Sequence, residues 1–140
     1  MKFLDPERTQ KLISSMRETV GMLLDLASMP EEEFFADKHR QSSAKYNFIA
    51  AIEAAIDLAN HLISRAGFRS PEDYADTFNV LAEQGVIDKE FAEELINMAR
   101  FRNRLVHIYW DVNIKEIWRI LQSRLKDFEK FQHDISEFCK

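Results

Sequence analysis

Only three glycines and three prolines punctuate the 140 residues, and that scarcity limits the fold more than any motif does. Tight β-turns draw on glycine and proline for backbone angles that other residues avoid. A chain so poor in both has little material for hairpins. Nothing in it alternates apolar and polar residues with period two for long enough to make a strand, whereas apolar residues recur at helical spacing through most of its length. The few breakers fall where helices should begin and end.

Asp5-Pro6-Glu7 supplies an N-cap, a proline at the first helical position and an acid in the first turn. Leu12, Ile13, Met16, Val20, Leu23, Leu24 and Ala27 then follow at helical spacing up to Met29-Pro30. The acidic stretch PEEEFFAD reads as a connector with Phe34 and Phe35 turned inward. A long second helix is expected from about Asp37 to Ala66, closed by Gly67, with Phe48, Ile49, Ile52, Ala55, Ile56, Ala59 and Ile63 as its apolar stripe. A short third helix is expected with Ser70 as cap, Pro71 at its first position and Gly85 past its end. Asp88 caps the fourth. Asn113 to Glu116 reads as a capping box that opens the fifth, which continues to about Glu137. The fold expected is all-α: an up-down bundle of about five helices, two of them long and antiparallel, forming a single domain over residues 1–140.

At this length a chain buries roughly 68–70% of its unfolded surface. The 46% hydrophobic and 31% charged content is that of a globular protein. The start, MKFLDPERTQ, has no apolar leader region, and no apolar run approaches bilayer length. Cys139 has no second cysteine to pair with, so the expected setting is a reducing cytoplasm with no membrane association. The net charge of −5 disfavours a protein that coats nucleic acid non-specifically. Residues 97–110, NMARFRNRLVHIYW, nevertheless carry three arginines and no acid.

Arg102 stands out in that segment. At about 100° per residue, Leu95, Met98, Ala99, Leu105, Val106 and Tyr109 all fall within roughly 60° of it on the fourth helix. A guanidinium near the centre of an apolar face cannot be left unpaired, because desolvating its charge costs several kcal/mol. A structural ion pair is one solution, with Glu53 or Asp57 at the rim of the second helix's stripe as candidate partners. Asn103 and His107 form an i, i+4 pair at the edge of the same face beside Trp110, and they suggest another. Arginine can grip a phosphate with two prongs, imidazole titrates near neutrality and can move a proton, and an amide can orient either. Such a set could cleave a phosphodiester with no metal and no cofactor. Arg104 points to the far side of the helix, where solvent is expected.

RNRLVH followed by IY places an arginine, four residues, a histidine, one residue and a tyrosine, and this resembles the signature of HepT-type HEPN proteins. These are the toxin halves of HepT–MntA toxin–antitoxin pairs. The resemblance covers nearly the whole chain, including NFIAAIEAAIDLANHLI, SPEDYADTFNVLAEQGVI and MARFRNRLVHIYWDVN. It implies a homodimer whose two motifs face each other across a cleft, with Arg102 on an apolar face because that face meets the second copy. It implies metal-independent RNA cleavage, with Arg102 on the phosphate, His107 as general acid or base and Asn103 orienting the site. It further implies a nucleotidyltransferase antitoxin similar to MntA that adds AMP to Tyr109 and silences the toxin. The alternative is a non-catalytic HEPN module that binds nucleotides or serves as the partner subunit of a nucleotidyltransferase.

The remaining candidates read as structural. His61 and His39 have no second ligand at metal spacing, and His133 suits the end of the fifth helix. Phe128, Phe131 and Phe138 are expected in the core or in a dimer contact. The third helix carries no function that its residues suggest.

Overall fold

The computed structural model describes residues 4–140, so the first three residues of the start read above lie outside it. Seven α-helices and one 3-10 turn follow one another, with no strand among the described residues: α1 (Pro6–Ala27), α2 (Glu31–Ala36), α3 (Lys38–Ala66), α4 (Tyr74–Glu83), α5 (Lys89–His107), the 3-10 turn (Tyr109–Asp111), α6 (Ile114–Ser123) and α7 (Lys126–Phe138). None of the described helices is long and apolar enough to cross a membrane.

Helix α3 is the axis. Asp37 caps it by accepting from the N–H groups of His39 (2.9 Å) and Arg40 (3.4 Å), and 29 residues then run for about 43 Å. Gly67, at φ +74°, ends it, and the Phe68 N–H turns back to the Ile63 carbonyl at 3.0 Å. Alanines 44, 51, 54, 55 and 59 are buried along it and let neighbouring helices approach closely. Its main neighbour is α1. The backbone N–H of Asp5, just before α1, donates to His61 Nε2 near the end of α3 at 3.0 Å, which makes the two long helices antiparallel. That bond also gives His61 a structural task as acceptor, and burial pushes its imidazole below the usual histidine value.

Helix α5 crosses α3 with Phe101 meeting Phe48 edge to face at 5.3 Å, and α4 joins α7 through Phe78 and Phe131 at 5.9 Å. Each aromatic pair adds about 1 kcal/mol beyond the area it hides. Phe128 and Phe131 are core residues, and Phe138 packs on Phe68 at 6.1 Å.

Five local expectations are corrected. The acidic connector is itself a short helix, α2, whose Phe34 is fully buried against Trp118 at 5.0 Å while Phe35 is half-buried. The third helix starts at Tyr74 with Asp73 as its cap, not at Ser70-Pro71, because Arg69 reaches forward to α4 and holds the preceding loop away from helical geometry. The fifth helix is two, α6 and α7. Between them Leu125 turns into the core and Arg124 reaches Glu94 of α5 at 2.9 Å, which offsets the helical bonds lost at the break. His133 sits exposed, more than a turn from the end of α7, so the helix dipole does not account for it. Leu24 of α1, placed on the apolar stripe by its spacing, is 54% exposed.

Arg69 binds Asp76 through two nitrogens (2.7 and 3.0 Å) and Glu83 through two more contacts (2.9 and 3.0 Å). These bonds, with the Glu72 N–H and the Asn79 amide, hold the Asp76 carboxyl far below the usual carboxylate range. The folded chain therefore favours ionised Asp76 more strongly than the unfolded chain does. That stabilisation is complete above the ordinary aspartate range, begins to fall as pH enters that range and is fully lost only below the depressed range of the folded chain. Asp76→Asn is expected to lower the melting temperature at neutral pH, with the gap to the parent beginning to narrow as pH falls below about 4. Circular-dichroism melts across pH test this, and a gap independent of pH would show that the charge is not what holds the loop.

Candidate functional site

Helix α5 starts because Asp88 accepts from the Phe91 N–H at 2.7 Å, and it buries Leu95, Met98, Ala99 and Leu105 against α3 and α4. Arg102 lies in that seam with its side chain 14% exposed. Its Nη2 and Nε donate to the same oxygen of Glu53 on α3, at 2.6 and 3.1 Å, and its Nη1 donates to Asn103 Oδ1 at 3.1 Å. The Tyr74 ring of α4 lies 4.9 Å from the guanidinium carbon. Three helices thus fix one charged group. The two bonds to Glu53 converge on one oxygen, so the second carboxylate oxygen and part of the guanidinium fork stay uncommitted.

Asp57, one turn further along α3, makes no hydrogen bond to Arg102. Burial raises its carboxyl above the usual range, Glu53 adds to the rise, and the charges of Arg8 and Arg102 oppose it. Glu53 holds the guanidinium and Asp57 contributes only through the field.

Asn103 is half-buried and spends its oxygen on Arg102. His107, the last residue of α5, is exposed. Five residues apart on a helix is about 140° around it, so within one chain the Arg102 and His107 side chains leave α5 in different directions.

Tyr109 is not on the α5 stripe. The helix stops at His107, Ile108 leaves helical geometry (φ −131°, ψ 42°), and Tyr109 opens the 3-10 turn. The turn is closed by the Asp111 N–H on the Ile108 carbonyl at 2.8 Å. Lys45 of α3 holds the tyrosine twice: its Nζ donates to the Tyr109 carbonyl at 2.8 Å and lies 4.5 Å from the ring centroid. Trp110 packs edge-on against the same ring at 5.0 Å and is itself 86% exposed. Sequence reasoning missed Lys45. It lies two turns before Glu53 on α3, a spacing that could have pointed to it.

Val106, expected on the buried face, is uncovered. So are Tyr46, Tyr74, Ile108 and Trp110, on the elements that border Arg102 and Tyr109. Arg104 is not simply solvated: Nη1 and Nη2 meet the two oxygens of Glu116 on α6 at 2.7 and 3.1 Å. Glu116 thereby leaves its expected role in a capping box, and Asn113 alone caps α6 by accepting from the Lys115 N–H at 2.8 Å. No group of three or more His, Cys, Asp or Glu side chains among the described residues converges as a metal would require.

A sequence model of the family described as ribonuclease HepT-like matches residues 15–135. The mRNA nuclease HepT of Shewanella oneidensis is 32% identical over 99 residues, spanning 71% of this chain and 74% of that protein. The tRNA nuclease HepT of Aphanizomenon flos-aquae is 21% identical over 133 residues, covering 91% and 89%. Among solved structures, the tri-AMPylated HEPN toxin of Shewanella oneidensis in complex with its MNT antitoxin superposes with a TM-score of 0.86 at 26% identity, over 93% of this chain and 97% of that one.

The pairing of Arg102 with a carboxylate that is itself 42% exposed makes a prediction about stability. Glu53 stays hydrated after Arg102→Met, so the expected loss is about 1 kcal/mol, typical of a partly exposed pair. Urea unfolding measures it. A loss of about 3 kcal/mol or more would mark a sealed ion pair that exists for the fold alone.

Proposed function

The chain belongs to the ribonuclease HepT-like family, and from that premise we propose that it is the ribonuclease toxin of a toxin–antitoxin pair. The observation that carries this reading is the state of the motif. Arg102 is fixed in place with part of its fork unspent, while His107 stands exposed at the helix end. The reaction is transesterification at an RNA phosphate. The ribose 2′-oxygen attacks phosphorus and the bond to the 5′-oxygen breaks. A 2′,3′-cyclic phosphate and a free 5′-hydroxyl are left. His107 removes the 2′-hydroxyl proton or delivers one to the departing oxygen, and Arg102 stabilises the charge gathering on the phosphate. Asn103 keeps the guanidinium aimed. The 2′-hydroxyl is the nucleophile, so DNA is not cut and no metal is needed.

One chain does not aim Arg102 and His107 at a common point. A homodimer does, by letting the arginine of one copy face the histidine of the other across a two-fold axis. The uncovered Tyr46, Tyr74, Val106, Ile108 and Trp110 around the motif support this, since a second copy would hide them.

Control by an MntA-like nucleotidyltransferase fits Tyr109. The phenol oxygen attacks the α-phosphate of ATP, pyrophosphate leaves and the phenolic proton goes to solvent. The adenylate then adds negative charge and bulk at a site made to receive phosphate. The Shewanella relative, solved as a tri-AMPylated toxin with its MNT antitoxin, supports the pairing.

A non-catalytic, nucleotide- or partner-binding role is favoured by one observation: Glu53 already engages two Arg102 nitrogens. Incubation of the purified chain with RNA in the presence of chelator separates the two. Cleavage is expected, falling by at least about a hundredfold in Arg102→Ala and in His107→Ala while both variants keep the helical circular-dichroism spectrum of the parent. RNA that stays bound and uncut would move the protein to the second role. Co-expression with the cognate nucleotidyltransferase is expected to add adenylate within residues 97–115, and Tyr109→Phe to abolish the mass gain. Modification that persists in Tyr109→Phe would refute this tyrosine as the acceptor.

A further inference from the structure

Behind α5, on the side away from Glu53, a second charged feature meets the site above only at His107. Arg100, Arg104 and His107 are spaced four and three residues apart, so they form one stripe along α5. Across from the stripe stand Arg119 of α6 and Arg124 at the α6–α7 break. Between them runs a groove of about 350 Å³ whose acids are Glu94 and Glu116. Four guanidinium groups against two carboxylates leave a local charge of +2 on a chain whose total is −5.

The acids act as braces. Glu116 fixes Arg104 through both oxygens and lies 3.8 Å from Arg119, while Glu94 fixes Arg124 at 2.9 Å. A guanidinium carries five N–H donors, so Arg104 keeps donors for an incoming anion with its side chain already ordered. Arg100 is exposed, and no carboxylate lies within ion-pair distance of it among the described residues. Phe101, with the Arg104 guanidinium 5.5 Å from its centroid, forms the floor. None of the large uncovered apolar side chains among the described residues lines this groove, so it lacks the anchor that a protein partner uses. Converging arginine forks without an apolar anchor suit a row of phosphates.

From Arg100 to His107 the stripe rises about 10 Å, the length of roughly three stacked nucleotides. We propose that the α5–α6 arginine groove is a phosphate-binding subsite that carries the RNA backbone to one side of the bond at which His107 acts. It rests on the RNA-cleaving reading above. It adds a substrate preference that the motif does not contain: RNA that extends several nucleotides past the cut is favoured over a dinucleotide.

Arg100→Glu with Arg119→Glu tests this, since neither side chain braces the fold; Arg100→Gln with Arg119→Gln serves if the reversal does not fold. Binding of a single-stranded RNA of about twenty nucleotides is titrated at several salt concentrations in a His107→Ala background. Each lost phosphate contact is expected to flatten the slope of log affinity against log salt by about 0.7, so the double variant should lose roughly 1.4. In the chain with His107 intact, kcat/KM for that RNA should fall at least about tenfold while a dinucleotide is cut at the parent rate. An unchanged salt slope in the double variant overturns the groove and leaves the cleavage reading standing. A parent chain that neither binds nor cuts RNA overturns both. Loss of antitoxin capture with RNA binding intact shows a protein interface and overturns the proposal.

Discussion

A 29-residue helix with twelve buried side chains is unstable in water by itself, and every other element exists in relation to hiding α3. Helix α1 lies along it, α5 crosses it at Phe48, α4 and α7 close its far end, and α2 seals its start with Phe34. Because α3 is buried on more than one face, its small residues matter as much as its large ones. The five buried alanines set how near the neighbours come, and the phenylalanines set where they cross.

That arrangement fixes the price of polarity at the α3–α5 seam. Glu53 sits on α3 where its stripe meets solvent, and Arg102 sits on α5 where its stripe meets Glu53. Neither helix could present its charge alone: Arg102 without Glu53 would be a desolvated cation, and Glu53 without Arg102 would lie idle at the rim. The pair is asymmetric, with the arginine hidden and the carboxylate wet. Such an arginine is held without being neutralised completely. Lys45 repeats the device two turns earlier on α3, reaching out of the stripe to hold the turn that carries Tyr109.

Much of this was readable from residue types at element ends. Asp5, Asp88 and Asn113 each cap the helix that the sequence assigns them, Asp37 caps the helix expected to begin at about that residue, and Gly67 and Gly85 both take positive φ just past their helices. These signals are local, so no tertiary contact needs to be known. The misread bounds of the third and fifth helices come from long-range bonds. Ser70-Pro71 is a plausible start until Arg69 engages Asp76 and Glu83 and makes Asp73 the cap. The stretch from 113 to 137 has unbroken helical period, and only the pull of Glu94 and the core on Arg124 and Leu125 divides it. At the site, the helical wheel placed Arg102 correctly in the seam and misplaced Tyr109, because it assumed that α5 continues past His107. Val106 was misjudged for a different reason: periodicity reports which face is apolar, not whether anything within the same chain covers it.

The two tryptophans sit in opposite surroundings. Trp118 is packed among Phe34 and Phe35 beside α2, and Trp110 projects into solvent from the turn that carries Tyr109. The protein therefore carries two intrinsic fluorophores that report on separate events. Emission from Trp118 follows the integrity of the interior. Emission from Trp110 is red and open to quenchers until something settles over the tyrosine beside it, so occupancy of that surface and loss of the fold have different optical signatures in the unlabelled chain.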